Sequence, residues 1–543
     1  MSRAVLALDL GTSGAKAAVF SANGAALASA FQPTALSLLP GGGAEQDPKE
    51  WWDAVLGVCQ QVLNHPAVDR ASVGAIGVTG QWSGTVAVGA DGEPLHQALI
   101  WMDSRGAAEV EAIAGGILGI PYSIPRALRW VTLTGGAPAK SGKDSLAHIL
   151  YLRAHAPRVY EQARYFLEPK DYINFRLTGV AAASYDSIAL HWVTDNRNVD
   201  EVKYHPTLLG YAGLDREKLP PLCSAAHVIG TLRPQVADRL GLSSQVKVVA
   251  GTPDVHSTAL GSGAVDDFEP HLYLGTSTWL SCHLPFKKTD ILHNMASLPA
   301  ALPGRYLLVN EQECAGACLT QLKDRILFAG DAEESAPRSS FADLDRIAAA
   351  APPGSERLLF LPWLYGERSP VEDHLLRGGF FNYSLSTTRA HLVRAVLEGV
   401  AFNARWLLGY AERFAGRRFQ SLRLVGGGGK SRLWCQIYAD ILDRAIERVE
   451  EPVLAGLRGV SALSFAALEG GAVREHAQHA PLLETLEPRR EHRGMYDELF
   501  EAFLGYYKNN RRWLARLNAA PEARARAASR GPAPAGGDGH AGA

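Results

Sequence analysis

Leu8-Asp9-Leu10-Gly11-Thr12-Ser13 returns as Leu272-Tyr273-Leu274-Gly275-Thr276-Ser277, with Gly275 standing 264 residues after Gly11 in a chain of 543. Each copy closes an apolar run and opens another, AKAAVF after the first and TWLSCHL after the second. The unit reads as strand, small-residue turn, strand, and its recurrence near half the chain length points to two domains on one plan. A chain this long also exceeds what one hydrophobic core organises. The boundary falls near Val265, in LGSGAVDD, which gives an N-terminal domain over 1–264 and a C-terminal domain over 265–516. Segment 517–543 turns rich in Ala, Gly, Pro and Arg, has little to bury, and is expected to be a disordered tail.

Apolar strand-like runs alternate with helical patterns, so the fold class is α/β. Asn23-Gly24 predicts a hairpin, and VGAIGVTG, QWSG and TVAVGADG predict a second antiparallel unit turning at Asp91-Gly92. PKEWWDAVLGVCQQVL, AHLVRAVLEGVAFNARWLL and SRLWCQIYADILDRA predict helices.

A formal net charge of −2 with 20% charged residues offers no basic face for nucleic acid or an anionic membrane. The six cysteines, Cys59, Cys223, Cys282, Cys314, Cys318 and Cys435, are scattered as in a reducing compartment. Cys314 and Cys318 stand i, i+4 without a second metal-ligand pair and read as packed helix residues. The opening MSRAVLALDLGTSG is broken by Asp9 and is no signal peptide, and no apolar run of ~20 residues stands out. The expectation is a cytoplasmic protein, with homodimerisation left open.

The two GTS turns offer successive backbone N–H groups and the hydroxyls of Thr12, Ser13, Thr276 and Ser277 to an anion, with Lys16 adding charge. Facing one another, they would clamp a polyphosphate. Asp9 beside such phosphates implies Mg²⁺ between them, or else a turn-capping carboxylate. VKVVAGTPDVHSTALGSG predicts a strand, a turn, and a helix with Asp254 in its first turn, where the helix dipole favours the ionised form. That carboxylate is either a base for a hydroxyl proton or a structural cap. Gly426 to Gly429 permit close approach of a flat ligand, but the G-x-G-x-x-G dinucleotide fingerprint and the G-x-x-x-x-G-K-[ST] phosphate loop are both absent. Gln81, Trp82, Asp103 and Arg105, in GQWSG and IWMDSR, suit a polyhydroxylated ligand, although Asp103 and Arg105 equally suit an ion pair.

Taken in order, DLGTSGAKAAVF, EQDPKEWW, AIGVTGQWSG, ALIWMDSR, PKDYINFRLTG, GTPDVHSTALGSG, LGTST, FLPWLYGERSP, RAVLEGVAFNAR and VGGGGKS resemble the FGGY carbohydrate kinase family, and within it the xylulokinases, over roughly Val5 to Trp513. The resemblance implies an actin/hexokinase-type fold of two ribonuclease-H-like domains around a cleft. It implies ATP, Mg²⁺, a sugar or polyol acceptor, and a catalytic aspartate at Asp254. Its nucleotide side falls on Gly11, Thr12, Ser13, Thr276, Gly316, Gly427 and Gly428, with Lys16, Gly275, Ser277 and Ser431 alongside; its metal side falls on Asp9; its sugar side falls on Gln81, Trp82, Asp103, Arg105 and Asp254. Trp82-Ser83 stands where xylulokinases usually carry Met-His, and Asp254-Val255 where they carry Asp-Asn, so the sugar is left unassigned. Asn382 replaces a usual Gly, a substitution that a left-handed turn tolerates. A nucleotide-gated, actin- or chaperone-like binding protein, or a family member of weakened activity, are the alternatives.

Overall fold

The computed structural model describes residues 3–117, 120–328, 340–478 and 480–519. The first half builds on a six-stranded sheet of β1 (Ala4–Gly11), β2 (Gly14–Ser21), β3 (Ala26–Pro33), β4 (Val73–Gly80), β5 (Val228–Thr231) and β6 (Lys247–Val249), in the order β5-β6-β4-β1-β2-β3. β1 pairs antiparallel with β2, setting Asp9 opposite Lys16, and parallel with β4. Strands buried on both faces need continuous rather than alternating apolar sequence, and AVLALDL supplies it. α1 (Pro48–Leu63) covers one face with Trp51, Val55, Val58 and Val62. It begins at Pro48, after Asp47 accepts the Lys49 N–H at 2.8 Å. α2 (Pro169–Thr178) precedes β5, and α3 (Asp254–Gly261) follows β6.

The second half repeats the plan. β7 (Pro270–Leu274), β8 (Thr278–Leu284), β9 (Thr289–Asp290), β10 (Met295–Pro299), β11 (Tyr306–Val309), β12 (Ser421–Val425), β13 (Ala445–Val449) and β14 (Leu482–Leu486) form a sheet in the order β9-β10-β11-β8-β7-β12-β13-β14. β7 pairs antiparallel with β8 and parallel with β12, as β1 does with β2 and β4. Its helices include α4 (Gly316–Leu322), α5 (Arg389–Ala415), α6 (Arg432–Leu442), α7 (Ala455–Glu469) and α8 (Arg493–Asn518). The tail expected over 517–543 lies outside the described residues from 520 onward, and its first two residues close α8.

α7 crosses back to the first half. Leu457, Val460 and Leu463 pack on Val5, Ala7, Ala75 and Val249, covering the sheet face opposite α1. Pro452–Glu469 is long and apolar enough to cross a membrane, and 78% of it is buried inside the protein. α3 and α7 meet at glycines: a Cβ on Gly261 would stand 1.7 Å from the Ala455 carbonyl oxygen, and one on Gly459 would stand 1.9 Å from that of Ser257.

The antiparallel unit predicted at residues 73–92 does not form. β4 inserts between β1 and β6, where both faces are buried, while Val86–Val88 pairs with Tyr165–Leu167 in a separate ribbon. The Asp91-Gly92 turn does form, with Gly92 at φ +84.

Candidate functional site

Asp9 ends β1, and its carboxylate accepts from the Lys16 ammonium at 2.8 Å. This contact holds the Lys16 pKa up at about 12, with Tyr273 and Asp254 adding smaller pulls in the same direction. Lys16 therefore sits where the first GTS turn, the second turn and the start of α3 converge. The start of α7 arrives there too, since a Cβ on Gly456 would lie 3.9 Å from Asp9 Oδ2. The second turn carries Tyr273 where the first carries Asp9; its ring stacks on Trp279 at 3.8 Å and closes over Gly275.

Asp254 opens α3 and accepts the Val255 N–H at 2.8 Å. Burial pushes its carboxyl up to about 7, helped by Asp9 and Glu311 and opposed by the Val255 N–H and Lys16. The helix terminus had been expected to favour the ionised form; burial and the facing carboxylates outweigh it. A carboxyl poised near neutrality takes a proton readily and returns it readily.

Ser13 and Thr276 are exposed, and Gly11, Gly275 and Ser277 are half-buried. The Thr12 hydroxyl donates to Gln81 Oε1 at 3.0 Å and accepts from Trp101 Nε1 at 2.9 Å, so it ties the turn to its neighbours. Ser277 bonds Glu311. Gly316, at the start of α4, donates its N–H to the Gly275 carbonyl at 2.8 Å, and a Cβ there would stand 2.6 Å from that oxygen. On the far side, Gly426 has φ +90 and, with Gly428, packs on Leu274, while Gly427 faces open space. Ser431 caps α6 by accepting the Trp434 N–H at 3.0 Å.

Of the four residues expected on the sugar side besides Asp254, most of the polar atoms are engaged within the protein. Gln81 is buried, with Nε2 on Gln46 Oε1 at 2.9 Å and Oε1 on Thr12. Trp82 donates to the Ser187 carbonyl at 2.9 Å and packs edge-on against His256, two residues after Asp254, at 5.1 Å. Asp103, fully buried, accepts from the Ala44 and Arg105 N–H groups and from the Arg105 guanidinium, which reaches on to Glu45 at 2.6 Å. Asp103 and Arg105 thus brace two loops, the second of the two readings the sequence allowed.

Five further residues meet between the halves: Trp101 and Lys143 from the first, and Glu311, Glu313 and Arg368 from the second. Arg368 lies 6.0 Å from the Trp101 ring of the first half and pairs with Glu311 and, at 3.1 Å through Nε, with Glu313. Lys143, from the first half, reaches Glu313 at 3.7 Å and the face of Tyr365 at 5.3 Å. Burial holds its ammonium below the usual lysine range. Ser83 donates to the Lys143 carbonyl at 2.7 Å, linking the GQWSG loop to this lysine. IWMDSR and GERSP carried a signal for Trp101 and Arg368, and SGKDSLAHILYL placed Lys143 where the family resemblance has a Lys-plus-Trp pattern that this chain keeps poorly.

Among the described residues no group of three His, Cys, Asp or Glu side chains is placed to hold a metal. Asp9 and Asp254 act on one another with Lys16 as the shared counter-charge. That arrangement fits Mg²⁺ held mainly by phosphates and water against a single carboxylate, Asp9.

Residues 4–261 match the FGGY family of carbohydrate kinases, N-terminal domain, and residues 272–468 the corresponding C-terminal domain. The xylulose kinase of Staphylococcus epidermidis is 27% identical over 516 residues, covering 94% of this chain and 98% of that protein. The L-xylulose/3-keto-L-gulonate kinase of Escherichia coli is 30% identical over 457 residues, covering 83% of this chain and 86% of that protein. The ligand-bound xylulose kinase structure from Lactobacillus acidophilus superposes with a TM-score of 0.80 at 25% identity, covering 94% of this chain and 98% of that one.

Proposed function

Because the chain belongs to the FGGY family of carbohydrate kinases and has the two-domain actin/hexokinase-type fold, we propose that it is an ATP-dependent kinase of a ketose or polyol, xylulokinase-like, with Asp254 as its base. The observation that carries this reading is the Asp254 carboxyl, near neutrality between Asp9 and Lys16 on one side and Glu311 on the other.

The acceptor hydroxyl lies against Asp254 and attacks the γ-phosphorus. The bond from that phosphorus to the ADP oxygen breaks, and the hydroxyl proton passes to Asp254. Phosphoryl transfer is largely dissociative, so the proton moves late and positioning dominates. The two turns, with exposed Ser13 and Thr276, receive phosphate oxygens, and the open face at Gly427 receives the base of the nucleotide. Mg²⁺, when bound at Asp9 through the phosphates, supplies neutralisation of their charge. Lys16, tied to Asp9, orients that carboxylate. Closure of the halves excludes water that would otherwise accept the phosphoryl group. All six thiols are unpaired, which supports a place in the cytoplasm. A nucleotide-gated binding protein without an acceptor would not need the charged sugar end of this cleft.

The test is a panel of ketoses, aldoses and polyols with ATP, read as ADP release. Asp254→Asn is expected to keep nucleotide affinity and lose at least ~10²-fold in kcat. Turnover within a few-fold of the parent enzyme would remove Asp254 from the role of base.

A further inference from the structure

The cleft has two chemically different ends. Lys16, Asp9 and the turns mark one; the other is lined by Lys143 from the first half and by Glu311, Glu313 and Arg368 from the second. This second end is tied to both turns. Trp101, under Arg368, donates to Thr12, and Glu311 bonds Ser277. Glu311 is close enough to raise the Asp254 carboxyl, so a substrate with one hydroxyl at Asp254 can reach Glu311, Glu313 and Lys143 with its remaining groups.

We propose that Lys143, Glu313 and Glu311 select the acceptor, admitting a neutral polyhydroxylated sugar and turning away a sugar acid. The inference rests on the kinase reading above and refines its substrate class. Two carboxylates and two cations alternate here, a set that matches hydroxyls, each of which donates to an anion and accepts from a cation. A sugar carboxylate would instead meet Glu311, Glu313 and Asp254, while both cations already face carboxylates, Arg368 shared between the two glutamates and Lys143 opposite Glu313. Glu313 is fixed: its side chain is 2% exposed and held by Arg368. Lys143 is the adjustable member, its 3.7 Å separation from Glu313 being longer than a direct hydrogen bond. It is also the one ion pair between residues 3–261 and the second half among the described residues, so an acceptor seated beside it touches both halves. The relatives span both substrate kinds, which makes the choice a real one for this chain.

The experiment compares the parent enzyme, Lys143→Met, Glu313→Gln and the exposed control Lys203→Met against a neutral ketopentose, its pentitol and a six-carbon keto acid. Acceptor Kd is read from tryptophan fluorescence without nucleotide, nucleotide Kd without acceptor, and KM and kcat from ADP release. Lys143→Met is expected to weaken the neutral acceptor by about 10-fold or more in Kd and KM, with nucleotide Kd unchanged, as for loss of a hydrogen bond from a charged donor. Glu313→Gln is expected to raise the keto acid to neutral ratio of kcat/KM by about 10-fold or more. Unchanged nucleotide Kd shows that each variant is folded. Acceptor affinity of Lys143→Met equal to that of Lys203→Met, or a parent enzyme that prefers the acid, overturns the proposal. A parent enzyme that phosphorylates nothing overturns the kinase reading instead, and the fluorescence Kd values still decide selection.

Discussion

Asp254 shows how a residue's neighbours decide its chemistry. Its place in the first turn of α3 argues for a low pKa, yet burial and the Asp9 and Glu311 carboxylates carry it to about 7. A base must be ionised to accept a proton, so kcat/KM should fall as pH drops through about 7, giving an acid limb with that midpoint. Glu311 raises this pKa; Glu311→Gln should therefore move the limb to lower pH, and a limb that stays in place would show that Glu311 does not reach the base. The sequence marked Asp254 because a strand, a Gly turn and a Pro announced the helix start. It did not mark the poise, which depends on burial and on residues as distant in sequence as Asp9 and Glu311. The same limit explains the sugar side. Gln81, Asp103 and Arg105 have the right groups, but hydrogen-bond partners such as Gln46, Ala44 and Glu45 come from the short strand Gly43–Gln46, and only the fold shows that they are engaged. Glu313 went unmarked, and Lys143 was marked by the family resemblance alone, because their meeting joins two halves.

At the scale of elements, the duplicated turn was legible because the strand-turn-strand unit is local. Asn382, at a position that the family resemblance gives to Gly, adopts φ +66, the left-handed turn that its side chain tolerates. The crossing of α3 and α7 was not legible, since a small residue in a helix carries no address for its partner. The crossing also predicts a mutational contrast. Gly459→Ala places a methyl against the Ser257 carbonyl oxygen, so α3 must shift, and Asp254 with it. We expect a loss of about 1–3 kcal/mol in stability together with reduced kcat. Gly505→Ala, in α8 with open space around the new Cβ, is expected instead to gain about 0.5–1 kcal/mol from helix propensity alone. Thermal unfolding of both variants checks the pair; a Gly459→Ala protein as stable and active as its parent would mean that this crossing yields without consequence.

The whole molecule places one GTS turn on each half and builds the Lys143–Glu313 cluster from both, so in the proposed reading neither ligand belongs to one domain. The halves are joined at the helix crossing and along a second seam, where Lys287 donates to the Val131 and Thr132 carbonyls and Tyr306 to that of Asn196. Between these joints lie the cleft groups, with Lys143 and Trp101 on one wall and Glu313 and Arg368 on the other. A ligand that touches both walls favours the arrangement in which they are close, and that arrangement also presents both turns to the nucleotide. Two ligands that favour the same arrangement must aid one another, and linkage makes the factor equal in both directions. We therefore expect a neutral acceptor to tighten a non-hydrolysable ATP analogue by about 5-fold or more, within the usual range of such couplings, and the analogue to tighten the acceptor by the same factor. Calorimetric titration in both orders measures it. Lys143→Met removes the ion pair that spans the walls and should shrink the factor, whereas Lys203→Met, remote from the cleft, should leave it intact. A factor near one in the parent enzyme would mean that the walls are already in their working positions before either ligand arrives.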